Sequence, residues 1–269
     1  MDYKIIVLDL DGTLTNREKV ITPRTKAALM KAQEAGKIVV LASGRPTAGV
    51  NPLAEELELS RFGSYILSYN GGMITNCGTG EVVFSAQIPL EANEKIIGLA
   101  EEYGVDILTY EGNEIITNNE ECSYAQLEAR VNRLPLRQVD HMKDYVRFQV
   151  PKYIMLDDDD YLVTVEPRVK AAMGRDFSVY RSEPYFLEIM PKGIDKAQSL
   201  ERLLTVLGMG RESMIACGDG YNDLSMIRYA GLGVAMENAV LPVRNAADYI
   251  TASNNEDGVG LVVEKFMLR

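Results

Sequence analysis

Apolar positions cluster in short blocks along this chain, and polar positions fall between them with helical spacing. KIIVLDL (residues 4–10) is apolar at nearly every position, which predicts a strand buried on both faces. TPRTKAALMKAQEAG (22–36) reads as a helix, with Thr22 as N-cap, Pro23 in the first turn and Gly36 as the stop. KIVVLASG (37–44) is a second buried strand, PTAGVNPLAEELEL (46–59) a second helix, and SYILSYNGG (64–72) a third strand ending in turn residues. This alternation predicts an α/β core, a doubly wound, Rossmann-like and mainly parallel sheet whose crevice lies at the carboxyl ends of its strands.

The alternation returns after residue 190. DKAQSLERLLTVLG (195–208) is an amphipathic helix, SMIACGDG (213–220) a strand and turn, YNDLSMIRYAG (221–231) a helix, and further strand and helix signals follow to DGVGLVVEKFML (257–268). In between, strands crowd closer: VDILTYEGNEIITN (105–118) reads as a hairpin and FSVYRSEPYFLEIMP (177–191) as two strands. The pattern predicts a core of residues 1–84 and 190–269, split by an inserted α+β domain over 85–189 with an antiparallel sheet. DDDD (157–160) sits between apolar segments and reads as a solvated turn or helix start.

Composition narrows the function. The 269 residues carry a net charge of -11, which argues against nucleic acid as the partner. No apolar run approaches the roughly 20 residues of a membrane span, and acidic residues interrupt the opening segment, so neither a membrane partner nor a signal peptide is expected. The three cysteines, Cys77, Cys122 and Cys217, are few and widely spaced, as expected of a reducing, cytoplasmic compartment.

Four short motifs fall at predicted strand ends or helix starts of the core. They are DLDGT (9–13), ASGRP (42–46), KGIDKAQSL (192–200) and CGDGYND (217–223). Carboxylates among oxygen-rich turns suit Mg²⁺, a hard cation that would offset Asp9, Asp219 and a bound anion. A lysine and a hydroxyl would then hold phosphoryl oxygens. Two carboxylates one residue apart can divide the labour, Asp9 or Asp11 attacking as nucleophile and the other moving a proton.

Together, and in this order, the motifs resemble those of the haloacid-dehalogenase superfamily, in particular its Cof-type sugar-phosphatase branch. The resemblance extends over nearly the whole chain; in the insert it rests on position, size and the phrase PYFLEI (184–189). It implies a phosphatase of small phosphorylated metabolites, sugar phosphates first among them, working through an aspartyl-phosphate on Asp9 with Asp11 as acid and base. It implies Mg²⁺ held by Asp9, by Asp11 through its backbone carbonyl and by Asp219, with Asp223 nearby. It assigns phosphoryl oxygens to Ser43, Gly44, Lys196 and Asn222.

Other readings stay open. A phosphomutase on the same fold and a non-catalytic sugar-phosphate-binding module both fit the pattern. Ser43 could simply cap the helix that follows it. Arg45 either approaches substrate or pairs with the acidic cluster. Asn70 and Gly71 either face substrate or form a hairpin turn. Glu188 either touches the leaving group or is a strand residue at the domain junction.

Overall fold

The computed structural model describes residues 2–268. By its internal contacts the chain divides into two compact units, one running to residue 84 and resuming at 195, the other spanning 85–194.

In chain order, the first part of the first unit contains β1 (Ile5–Leu8), α1 (Pro23–Glu34), β2 (Ile38–Ala42), α2 (Thr47–Glu56), α3 (Leu59–Phe62), β3 (Tyr65–Ser68), β4 (Met73–Asn76) and β5 (Val82–Ser85). The second unit contributes α4 (Leu90–Tyr103), β6 (Asp106–Glu111), β7 (Glu114–Thr117), α5 (Ser123–Asn132), β8 (Leu136–Gln138), α6 (Met142–Tyr145), β9 (Tyr153–Leu156), α7 (Asp159–Met173), β10 (Phe177–Glu183) and β11 (Phe186–Pro191). The first unit then resumes with α8 (Lys196–Leu207), β12 (Met214–Gly218), α9 (Leu224–Tyr229), β13 (Leu232–Ala235), α10 (Leu241–Ala246), β14 (Tyr249–Ile250) and α11 (Gly258–Phe266).

The first unit's sheet has the order β14-β13-β12-β1-β2-β3-β4-β5. From β14 to β3 all neighbours are parallel, and β4 reverses direction against β3. β1 and β12 are buried along their whole length, as their unbroken apolar runs require. The chain moves outward from β1 through β2 and β3 on one side, and through β12, β13 and β14 on the other. The order therefore reverses at the β1–β12 boundary, where a doubly wound sheet opens its crevice.

Local signals place the helices. Thr22 is extended and caps α1, its hydroxyl accepting from the Thr25 N–H. The same hydroxyl donates to the carboxylate of Asp257, which precedes α11, and α1 packs against α11. Gly36 takes a left-handed φ of 79° just beyond the end of α1. Asp195 caps α8 by accepting from the Gln198 N–H at 2.9 Å.

The second unit has its own sheet, in the order β10-β11-β9-β6-β7-β8. Its pairs are antiparallel except β7 with β8, which are parallel. The exception departs from the antiparallel sheet expected from the sequence. It arises because α5 lies between β7 and β8 in the chain and carries it back to start β8 in the same direction. A separate core, with Ile96, Ile97, Tyr153, Leu162, Val165 and Ile189 among its members, holds this unit together. The DDDD segment supplies the N-cap Asp158 and the first-turn Asp159 and Asp160 of α7, whose negative charges favour a helix start.

Replacing Thr22 with Val keeps its shape and removes the cap and the bond to Asp257. Thr22→Val is expected to lower the first unit's stability by about 1 kcal/mol. Urea unfolding measures this, and an unchanged midpoint would show that the α1 cap contributes nothing.

Candidate active site

Three strand ends of the first unit and the first turn of one helix supply the site. Asp9 follows β1, Ser43 follows β2, Asp219 follows β12, and Lys196 opens α8. β1 pairs with both β2 and β12, so the first three residues lie on neighbouring strand ends.

Lys196 is fully buried. Its Nζ donates to Asp9 Oδ1 at 2.7 Å, to Asp223 Oδ1 at 2.6 Å and to the Ala42 carbonyl at 2.8 Å. All three ammonium donors are thereby used. Burial alone would lower its pKa, but the charges of Asp223 and Asp9 outweigh that and hold the ammonium above its usual range. Asp223 is also fully buried, and its Oδ2 accepts from the backbone N–H groups of Asp219 and Gly220, both at 2.9 Å.

Asp9, Asp219 and Asp223 each bring one carboxylate oxygen within 4.8 Å of the others. One ammonium faces three carboxylates. The Asp9 carboxyl is pushed up to about 8, first by burial and then by the like charge of Asp223, against the pull of Lys196. The Asp219 carboxyl is pushed up to about 6 by burial and by Asp223, with a hydrogen bond from Thr13 opposing. That bond runs from Thr13 Oγ1 to Asp219 Oδ1 at 2.9 Å. The donor set fits a hard divalent cation: it is all oxygen, close-set and short of positive charge.

Gly12 lets the loop after β1 reach Asp219. Its φ is 83°, and a Cβ there would meet Asp219 Oδ2 at 2.3 Å. No other residue fits that turn without moving the carboxylate.

The Asp11 side chain lies outside this group. It receives both arms of Arg45, Nε to Oδ2 at 2.9 Å and Nη2 to Oδ1 at 2.7 Å, and Lys19 Nζ to Oδ1 at 2.7 Å. Burial would raise its pKa, but the charge and hydrogen bonds of Arg45, aided by Lys19, hold the carboxyl below its usual range. Of the two readings of Arg45, the structure shows it paired with an acidic residue. Lys19 carried no signal in the sequence; it is one of three consecutive charges, Arg17, Glu18 and Lys19, in a polar loop, brought to Asp11 by a turn in which it takes φ 60°.

Ser43 is buried and does not cap α2, whose N-cap is Pro46. Its Oγ accepts from the Arg45 N–H at 3.2 Å. Gly44 lies against Asn70, where a Cβ would stand 3.1 Å from Oδ1. Asn222 donates from Nδ2 to the same Oδ1 at 3.1 Å. Asn70 and Gly71 form the turn between antiparallel β3 and β4, and both are buried. Glu188 belongs to the second unit, on β11, where it is buried and paired with Lys152 at 3.1 Å, both side chains being at most 5% exposed.

Residues 6–263 match the family model for haloacid dehalogenase-like hydrolases. A crystal structure of a haloacid dehalogenase-like hydrolase from Bacteroides thetaiotaomicron is 48% identical, with a TM-score of 0.95 over 98% of this chain and 99% of that one. The subclass IIB sugar phosphatase BT4131 is 27% identical, with a TM-score of 0.80 over 98% of both chains. The 5-amino-6-(5-phospho-D-ribitylamino)uracil phosphatase YcsE of Bacillus subtilis is 29% identical over 100% of this chain and 97% of its own.

The raised carboxyls set a pH dependence. Asp9 and Asp219 titrate above the ordinary carboxyl value of 3.8, so the metal-free fold loses stability as pH rises from there toward 8. A cation bound by the ionised carboxylates offsets this loss. Millimolar Mg²⁺ is therefore expected to raise the melting temperature more at about pH 8 than at about pH 5. Thermal melts with and without Mg²⁺ measure it; an equal or reversed shift would mean that the cluster does not hold the ion.

Proposed function

The chain belongs to the haloacid dehalogenase-like hydrolases, and from that membership we propose that it is a Mg²⁺-dependent phosphatase of small phosphorylated metabolites. The observation that carries the reading is the buried Lys196, which fixes one oxygen of Asp9 beside two further carboxylates. A binding module has no need of a nucleophile and an acid together.

In this reading Asp9 attacks phosphorus in line. The bond from phosphorus to the ester oxygen breaks, and Asp11 in its protonated form gives the leaving alcohol its proton. Water then attacks the phosphorus of the aspartyl-phosphate and gives a proton to Asp11. Orthophosphate leaves and the Asp9 carboxylate is restored. Asp9, Asp219 and the Asp11 carbonyl would hold Mg²⁺, with Asp223 nearby; when bound, the ion supplies positive charge for the carboxylates and the phosphoryl oxygens. Ser43, the Gly44 backbone, Lys196 and Asn222 would hold the phosphoryl oxygens, so positioning and charge supply the catalysis. Arg45 and Lys19 favour the ionised form of Asp11, the form left once the alcohol has taken its proton and the one that takes a proton from water; the proton gained there is the one Asp11 gives to the next leaving alcohol.

Sugar and polyol phosphates are the substrate class that relatives named for a sugar phosphate activity and for a phosphoribitylamino-uracil support. The residues between 85 and 189 would act as a cap domain that chooses among them. Among the described residues no helix is long and apolar enough to cross a membrane, and we place the enzyme in the cytoplasm with its metabolite substrates.

Phosphate release from a panel of sugar, polyol and nucleotide phosphates tests the reading. Asp9→Asn is expected to lose at least about a thousandfold in kcat, the scale of removing a nucleophile. Asp11→Asn is expected to lose about 10²- to 10⁴-fold. Release that persists in Asp9→Asn, or that needs no divalent cation, would refute the mechanism.

A further inference from the structure

The turn between β3 and β4 joins the strand ends of the site. Tyr69, Asn70 and Gly71 take φ of 53°, 54° and 102°, three left-handed residues in succession. Such backbone is unfavourable for tyrosine, tolerable for asparagine and free for glycine. Surrounding contacts must hold it.

Those contacts run to every segment that carries a proposed phosphate ligand. The Tyr69 N–H donates to the Arg45 carbonyl and the Asn70 N–H to the Ser43 carbonyl, both at 2.9 Å. The Gly71 carbonyl accepts from Ser199 Oγ on α8 at 2.7 Å. A Cβ on Gly71 would stand 2.7 Å from the Asp195 carbonyl, so the turn is pressed against the first turn of the helix that begins with Lys196. Asn70 Oδ1 accepts from Asn222 Nδ2.

We propose that Asn70 is a positioning residue: its carboxamide orients the Asn222 amide and its backbone orients Ser43. This rests on the phosphatase reading above. Asn222 is exposed on a short turn, and its amide would otherwise rotate among several orientations. Asn70 is buried, and its oxygen selects the orientation in which Nδ2 points back toward the β3–β4 turn. Glycine would satisfy the backbone but supply no acceptor. Alanine would supply neither. Asparagine combines tolerance of the left-handed backbone with an oxygen at the right reach.

The test is a double-mutant cycle on Asn70→Gly and Asn222→Ala, read by kcat/KM and by orthophosphate binding in Mg²⁺. Each single variant is expected to lose about 10- to 100-fold in kcat/KM with a melting temperature near wild type. The double variant is expected to be within about twofold of the weaker single, because Asn70 acts through Asn222. Losses that multiply, or an unchanged Asn70→Gly, would overturn the proposal. Should Asn70→Gly not fold, Asn70→Asp keeps the acceptor and the backbone tolerance. Asn222→Ala should then cost as much in that background as in wild type, and a vanished cost would overturn the proposal. If no protein, wild type included, releases phosphate from any ester, the phosphatase reading fails. Orthophosphate binding by the same variants still decides the role of Asn70: non-additive losses support it, while additive losses or no binding by wild type overturn it.

Discussion

The burial of the Lys196 ammonium is the constraint on which the site depends. A charge without solvent must spend every donor on an acceptor, and here the acceptors are Asp9, Asp223 and the Ala42 carbonyl. These partners come from the ends of β1 and β2 and from the segment after β12. The lysine therefore fixes α8 against three strand ends at once. Removing it would leave two buried carboxylates without their cation, which is costlier than the loss of one ion pair.

The same arithmetic explains why the cluster is unfinished. Three carboxylates share one ammonium, and two of them are raised far above the ordinary carboxyl range. A fold selected only for stability would replace such a cluster with apolar residues. Strain stored in charge at this point is what a bound cation would relieve. Asp11 stands in contrast: two positive partners keep it ionised, and it is partly open to solvent. Two aspartates one residue apart thus meet opposite electrostatics, which is how a pair of like groups acquires different chemistry.

The second unit solves its own version of the problem. Lys152 and Glu188 are almost wholly buried and paired, and Tyr180 adds a hydrogen bond to Glu188 at 3.3 Å. Here the charges balance, so the cluster calls for no further ion. The unit is built around a separate apolar core and a sheet whose one parallel pair comes from the α5 crossover.

Local patterning determined much of this protein. Unbroken apolar runs marked β1, β2 and β12, the Thr22-Pro23 and Gly36 signals bounded α1, and the acidic run marked the start of α7. The motifs at strand ends and at the start of α8 pointed to Asp9, Asp219 and Lys196, because a doubly wound sheet brings strand ends to one edge whatever the loop lengths. Only the tertiary structure decided which charges meet. Lys196 and Asp9 are 187 residues apart, and Asp11 with Arg45 and Lys19, Asn70 with Asn222, and Glu188 with Lys152 are pairings that no periodicity encodes. Periodicity reports which face of an element is buried; the partner of a buried polar group is set by the packing of distant segments, and that exists only once the chain has folded.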